Sequence, residues 1–314
     1  MITADKSLII AALKKGGLVG LPTETVYGLA GNAFDLTAIQ SIYALKKRPA
    51  TNPLIIHIGS VDQLDQLAIN IPKEAQSLID AFWPGPLTLI FEKSNRVLPE
   101  TTAGQETVAV RMPKHPKTLD LLQSLDFPLV APSANPYMSV SPTCAEHVDH
   151  YFPDLLVYDG GPCEVGLEST IVGFTASGLK VYRLGSISAE ELEFVSGSSI
   201  DTESESLVIT PGMAKRHYSP KCPMILSDNI PALLKQYADK RIGVITFKED
   251  YRGSNINSRV LSPSADLSEA GRKIYAFLIQ LDALDLDLIL VEKLPEIGVG
   301  RTINERMSRA ASKV

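Results

Sequence analysis

Short apolar, β-branched runs alternate with stretches of helical period along almost the whole chain, and this alternation restricts the fold more than any other feature. The runs Leu18 to Leu21, Leu54 to Ile58, Leu87 to Phe91, Val108 to Met112, Leu129 to Ala131, Leu155 to Tyr158, Thr170 to Phe174 and Leu179 to Leu184 have the length and composition of strands. Between them, a helix is expected from Thr3 to Lys15 with Gly16-Gly17 as its stop. A second is expected after the cap Asp35, its apolar face formed by Leu36, Ile39, Ile42 and Tyr43 and its end set by Pro49, and a third from Pro72 to Phe82. The pattern predicts an α/β domain on one large mixed, twisted sheet.

At Ser196 to Ser206 the pattern breaks into serines and acids with almost no apolar content, which reads as a linker. Beyond it strands are expected at Met224 to Leu226, Ile242 to Phe247 and Leu286 to Val291. Helices are expected at Pro231 to Ala238, Leu267 to Leu284 and from about Arg301. That alternation predicts a small Rossmann-like α/β domain. Gly298-Val299-Gly300 precedes a helix but lacks the third glycine of a dinucleotide fingerprint. The expected division is residues 1–195, a linker or lid segment at 196–220, and a second domain at 221–314, which suits a chain of 314 residues.

The net charge of −6 gives no general attraction to a polyphosphate chain, so nucleic-acid binding, if any, must be local. No run of 18 apolar residues is present, and Leu8 to Leu13 is too short and wrongly flanked for a signal core, so a cytoplasmic protein with no membrane contact is expected. Cys144, Cys163 and Cys222 match neither a disulfide framework nor a metal site and read as reduced thiols. A Walker A loop, an HExxH pair and a GxSxG elbow are all missing, so ATP, if used, is held another way.

Polar clusters fall at strand ends and turns, where a sheet domain gathers ligand contacts. Pro22-Thr23-Glu24-Thr25 reads either as a capping turn or as hydroxyls and a carboxylate for a small polar substrate. Lys46-Lys47-Arg48-Pro49, with Asn52 after it, either complements a helix dipole or grips phosphate, Arg48 being the better two-toothed partner. His57 alternates against Ile56 and Ile58, as a structural or a ligand-facing residue, and Thr107 and Arg111 bracket the Val108 to Met112 run. Arg111 requires an anion if the face it points to is covered. Pro132-Ser133-Ala134-Asn135 with Ser141 supplies hydroxyl and amide groups, and Glu168-Ser169-Thr170 and Arg183 lie at the ends of the last two runs.

Together PTETVYGL, KKRP with NPL, VAVRMP, PSAN, LESTIV and RLG resemble the YrdC-like domain of the threonylcarbamoyl-AMP synthase family, and PGMAKRHYSP followed by an α/β tail resembles its longer, two-domain Sua5 form. The resemblance implies a nucleotidyltransferase that converts L-threonine, bicarbonate and ATP into threonylcarbamoyl-AMP, pyrophosphate and water, the first step of threonylcarbamoyladenosine formation in tRNA. By resemblance, Lys46, Arg48 and Arg183 are catalytic. Arg48, Asn52, Thr107, Ser133, Asn135, Ser141, Arg183, His217 and Tyr218 bind ATP, and Thr25, His57, Arg111, Ala131 and Ser169 bind threonine. Mg²⁺ is expected on phosphate oxygens with no protein side chain as ligand. Handover to tRNA-modifying transferase proteins is expected, and the strip Pro211 to Pro220 is expected to act as a lid through His217 or Tyr218. Against this stand an RNA-binding module using the cations Lys46, Lys47, Arg48, Arg111 and Arg183, a carbamoyl transferase and a non-catalytic homologue. The net charge and the lack of an aromatic stacking set oppose the first, the missing Cys array the second and the intact motifs the third.

Overall fold

The computed structural model describes residues 1–175, 178–202 and 217–311. It divides into two compact units: the described residues of Met1–Tyr137, Pro142–Glu164 and Glu168–Met213 form one, those of Met138–Ser141, Val165–Leu167 and Ala214–Val314 the other.

The first unit is built on a mixed sheet of twelve strands among the described residues. Across the sheet they run Ile2–Thr3, Leu156–Tyr158, Val19–Leu21, Gly28–Asn32, Leu129–Val130, Ile55–His57, Thr107–Arg111, Leu87–Lys93, Thr170–Thr175, Gly178–Arg183 and Ile200–Asp201, with Ala68–Ile69 paired to Leu87–Lys93. Period-two alternation separates the two faces. One face carries Ile56, Leu89, Val110, Val130 and Val172 into the main core. On the other, the cross-strand partners Leu129, His57, Arg111, Thr88 and Ile171 form one continuous row over five strands. The apolar ends of that row belong to separate small cores, Leu129 with Ile9, Leu13 and Ala131, and Ile171 with Ile55 and Ile90.

The helix starts differ from the sequence expectation at two places, one of them set by a side-chain cap. Asp5 accepts from the Ser7 N–H, so the first helix is Lys6–Lys14, and Ile2–Thr3 pairs instead as an edge strand beside Leu156–Tyr158. Asp35 caps Leu36–Lys46 as expected, and Lys47 closes that helix in the left-handed region at φ 52°. The helix expected from Pro72 starts at Glu74. The expected linker begins with structure: Ser196 ends the helix Ala189–Ser196, Gly197 caps it at φ 65°, and Ile200–Asp201 pairs in parallel with Gly178–Arg183. Residues 203–216 of that segment lie outside the described residues.

The second unit has four parallel strands in the order Met224–Ser227, Leu288–Glu292, Ile242–Thr246, Ile256–Val260, with helices Ile230–Gln236, Leu267–Asp282 and Val299–Ala310. Ile242, Val244, Leu288 and Leu290 pack with Ile230 as its core. The strand Ile256–Val260 was not expected, because INSRV lies at the sheet edge and has no need of an apolar run. The three cysteines are free. Among the described residues no helix is long and apolar enough to cross a membrane.

Candidate active site

Arg111 is the centre of the polar row. Its Nη1 donates to Thr25 Oγ1 at 2.8 Å and its Nε to the Gly85 carbonyl at 3.2 Å. Its Nη2 lies 2.7 Å from Glu24 Oε1, both side chains being buried. That contact is close but lacks hydrogen-bond alignment: Arg111 Nη2 and both Glu24 oxygens have no hydrogen-bond partner among the described residues.

The Pro22 to Thr25 turn positions these groups through Thr23. Its hydroxyl donates to the Val26 carbonyl at 2.6 Å and accepts from the amides of Thr25 and Val26. With that proton committed, the 2.8 Å contact between the two threonine hydroxyls has Thr25 as donor. Thr23 therefore holds the turn, and Thr25 accepts from Arg111.

His57 sits beside Arg111 in the row, its Nδ1 3.2 Å from the Ile55 carbonyl. Only a protonated Nδ1 can donate there, which leaves the Nε2 lone pair as the free acceptor. Burial, reinforced by the Arg111 charge, lowers the His57 pKa to about 3. Because the folded pKa lies below the ordinary 6.5, the associated stability is present above that value. It is lost as pH falls toward 3, when the unfolded chain binds a proton that the folded chain refuses. We expect ¹⁵N chemical shifts to show one neutral Nδ1–H tautomer between about pH 8 and pH 5, and a midpoint near the ordinary histidine value would contradict this environment.

Ser169 continues the network. Its hydroxyl lies 2.7 Å from that of Thr88, and Arg183 Nη2 donates to Ser169 Oγ at 3.0 Å and to its carbonyl at 2.9 Å. The glycine two residues after Arg183 is required by close passage: a Cβ on Gly185 would lie 2.2 Å from the Thr170 nitrogen.

A second group of cations ends the helix Leu36–Lys46. Arg48 Nη2 donates to Asn52 Oδ1 at 2.6 Å and to the Pro53 carbonyl at 2.7 Å, and Nε to the Asn52 carbonyl at 3.1 Å. Lys46 is only 1% exposed, and its Nζ donates to the carbonyls of Ser133, at 2.5 Å, and Asn135. Burial, with the nearby Arg48 charge second, holds its pKa well below the ordinary lysine value. Lys46 was expected to meet the triphosphate itself. In the structure its Nζ lies as a strut under the Ser133–Asn135 loop, which the bonds Leu29 N–H to Pro132 O and Ala134 N–H to Tyr27 O also hold.

The remaining expected residues are less concentrated. Ala131 donates its amide to Ile55 O, next to His57. Thr107 shares Arg111's face at the opposite end of the strand, a separation of about 13 Å at the usual strand rise. Ser141, His217 and Tyr218 belong to the second unit. There the His217 amide donates to Arg309 O, and the Tyr218 ring stacks on Tyr275 with the Arg306 guanidinium 5.1 Å from its centroid. Pro211 to Arg216 of the expected lid lie outside the described residues. Thr88 and Gly85 were not among the expected residues, and Glu24 was noted only as part of its turn. The alternation of Thr88 against Leu87 and Leu89, and the position of a lone acid between two threonines, were the available signals.

Among the described residues the constellation holds no Ser–His or Cys–His nucleophile pair; its donors and acceptors suit the holding of a small polar ligand. Among the described residues no three His, Cys, Asp or Glu side chains converge to hold a metal ion. Lys46, Arg48 and Arg111 are buried and bonded to internal acceptors, which is unlike an open groove for an RNA backbone.

Residues 11–185 match the family model described as Telomere recombination, and residues 187–312 the one described as Threonylcarbamoyl-AMP synthase, C-terminal domain. The chain is 38% identical to a threonylcarbamoyl-AMP synthase of Bacillus subtilis over 96% of this chain and 91% of that one. It is 37% identical to the Schizosaccharomyces pombe protein of that name over 94% of this chain and 85% of that one. The crystal structure of Pyrococcus abyssi Sua5 complexed with L-threonine matches with a TM-score of 0.90 at 36% identity, over 98% of this chain and 94% of that one. With both halves matched by the family's models and nearly the full length shared with its members, the chain belongs to the Sua5 family of threonylcarbamoyl-AMP synthases.

Proposed function

We propose that the chain is an L-threonylcarbamoyladenylate synthase, a nucleotidyltransferase acting on L-threonine, bicarbonate and ATP to give threonylcarbamoyl-AMP, pyrophosphate and water. The product supplies threonylcarbamoyladenosine formation in tRNA. The observation that carries this reading is the buried row of His57, Arg111 and Thr88 with Thr25 and Ser169 beside it, in a chain alike to named synthases over almost its whole length. Such a row suits a small zwitterion with a hydroxyl group. Arg111 is assigned to the threonine carboxylate, and Thr25 and the His57 Nε2 lone pair to its hydroxyl, with Ala131 and Ser169 alongside.

Arg48, Asn52, Thr107, Ser133, Asn135 and Arg183 are assigned to ATP, as are Ser141, His217 and Tyr218 on the resemblance alone. The carbamate oxygen attacks the α-phosphorus and the bond to pyrophosphate breaks, a step that needs alignment and charge neutralisation more than a protein nucleophile. Arg48 and Arg183 supply that charge, and Lys46 acts through the Ser133–Asn135 loop. The donor set does not suit a protein-held metal, so Mg²⁺ is assigned to the nucleotide's phosphates. The division at 1–195, 196–220 and 221–314, a cytoplasmic location and handover to tRNA-modifying transferases belong to the same proposal.

The test is pyrophosphate release by the purified full chain. We expect release to require threonine and bicarbonate together. ATP cleavage at the same rate without threonine would rule the reaction out.

A further inference from the structure

Three charged or polar atoms meet in one buried place without an aligned hydrogen bond among the described residues: Glu24 Oε1, Glu24 Oε2 and Arg111 Nη2. Glu24 is 3% exposed and Arg111 4%. Each such atom is costly to leave open, and a pair meant only to neutralise itself would align, usually with both carboxylate oxygens engaged. Here the turn around Thr23 and the strand under Arg111 hold the carboxylate and the guanidinium as an ion pair at 2.7 Å, with Glu24 Oε1, Glu24 Oε2 and Arg111 Nη2 in no aligned hydrogen bond among the described residues. An open carboxylate next to an open guanidinium edge is the complement of one ligand class, the α-amino acid zwitterion.

Building on the proposed reaction, we propose that Glu24 is the acceptor for the ammonium group of the amino-acid substrate, while Arg111 takes its carboxylate. This role has a chemical use, because an ammonium has no lone pair and cannot attack carbon. Glu24 takes one N–H proton, leaving a neutral amine. The amine's lone pair forms the N–C bond to bicarbonate, and the C–O bond breaks so that hydroxide leaves with a second N–H proton as water. Substrate, bicarbonate and carboxylate thus give carbamate, water and a protonated Glu24, which returns its proton to solvent when the site opens. Of the charged groups facing Glu24, Arg111 is the permanent cation, and the half-buried His115, whose pKa is lowered mainly by burial, adds no charge near neutral pH.

The experiment compares two ligands by calorimetry on the full chain: L-threonine, and the 2,3-dihydroxybutanoate of matching stereochemistry, in which a hydroxyl replaces the ammonium. The unsubstituted protein is expected to favour threonine by about a hundredfold or more, and Glu24→Gln to shrink that ratio at least about tenfold, with its thermal unfolding transition intact. Loss of a mere counter-ion for Arg111 would change both affinities alike, so an unchanged ratio in folded Glu24→Gln overturns the proposal. If that variant has no unfolding transition, Glu24→Asp keeps the charge but withdraws it by one methylene, and an unchanged ratio there overturns the proposal equally. No threonine binding by the unsubstituted protein would overturn the amino-acid reading itself, a different result from binding that survives loss of the carboxylate.

Discussion

Replacing Arg48 with alanine is expected to lower threonine-dependent pyrophosphate release by about two to three orders of magnitude, the usual cost of losing one preorganised charge partner of a transition state. The guanidinium is oriented by its bonds to Asn52 Oδ1 and to the carbonyls of Asn52 and Pro53. Burial matters here, because in a water-poor site that charge acts at low effective dielectric. Arg48→Lys retains the cation but loses the planar fork that bonds Asn52, and is expected to recover only part of the rate. Separating kcat from KM for ATP decides the interpretation: a transition-state role lowers kcat, whereas a role limited to holding the Asn52 loop raises KM. A fall of less than about threefold in kcat/KM would reduce Arg48 to a helix-end cation.

Lys46→Met is expected to cost at least about a hundredfold in the same assay while changing stability by less than about 2 kcal/mol. The two effects have different origins. The buried carbonyl of Asn135 and the part-buried one of Ser133 lose their donor, at up to about 1–3 kcal/mol each, but the protein no longer buries an amine whose burial already holds its pKa far down, and the terms largely offset. Activity has no such compensation, since a displacement of about 1 Å in a positioning element can cost about a hundredfold in rate. Rate and denaturant midpoint measured on one preparation would separate them. A variant with near-normal rate would show that the Ser133–Asn135 loop is held by its strand contacts alone.

Much of this site could be read along the chain, residue by residue. Alternation placed His57 and Arg111 on the same kind of face, because a strand's period is a local property of the backbone. Asp35 was legible as a cap for the same reason, its bond to the Thr37 amide closing within one helical turn. Less legible were Gly28–Asn32, whose GLAGN sequence lacks β-branched residues, and Ile2–Thr3; each became a strand because a neighbour offered an edge. Lys46 shows the same limit in the site. A lysine in a final helical turn resembles a dipole partner in sequence, and its acceptors lie about ninety residues away in the chain.

By itself, then, the sequence determined the α/β class, the caps, the faces of the strands and the clusters of polar residues at their ends, all consequences of short-range sterics and hydrogen bonding. Its motifs also pointed to the family. Only the tertiary structure decided that Leu129, His57, Arg111, Thr88 and Ile171 share one row, since strand order is a choice among distant partners made by burial of the common core. That same choice brought Glu24 within 2.7 Å of Arg111 without an aligned hydrogen bond among the described residues, the turn being held by Thr23 and Arg111 by its strand.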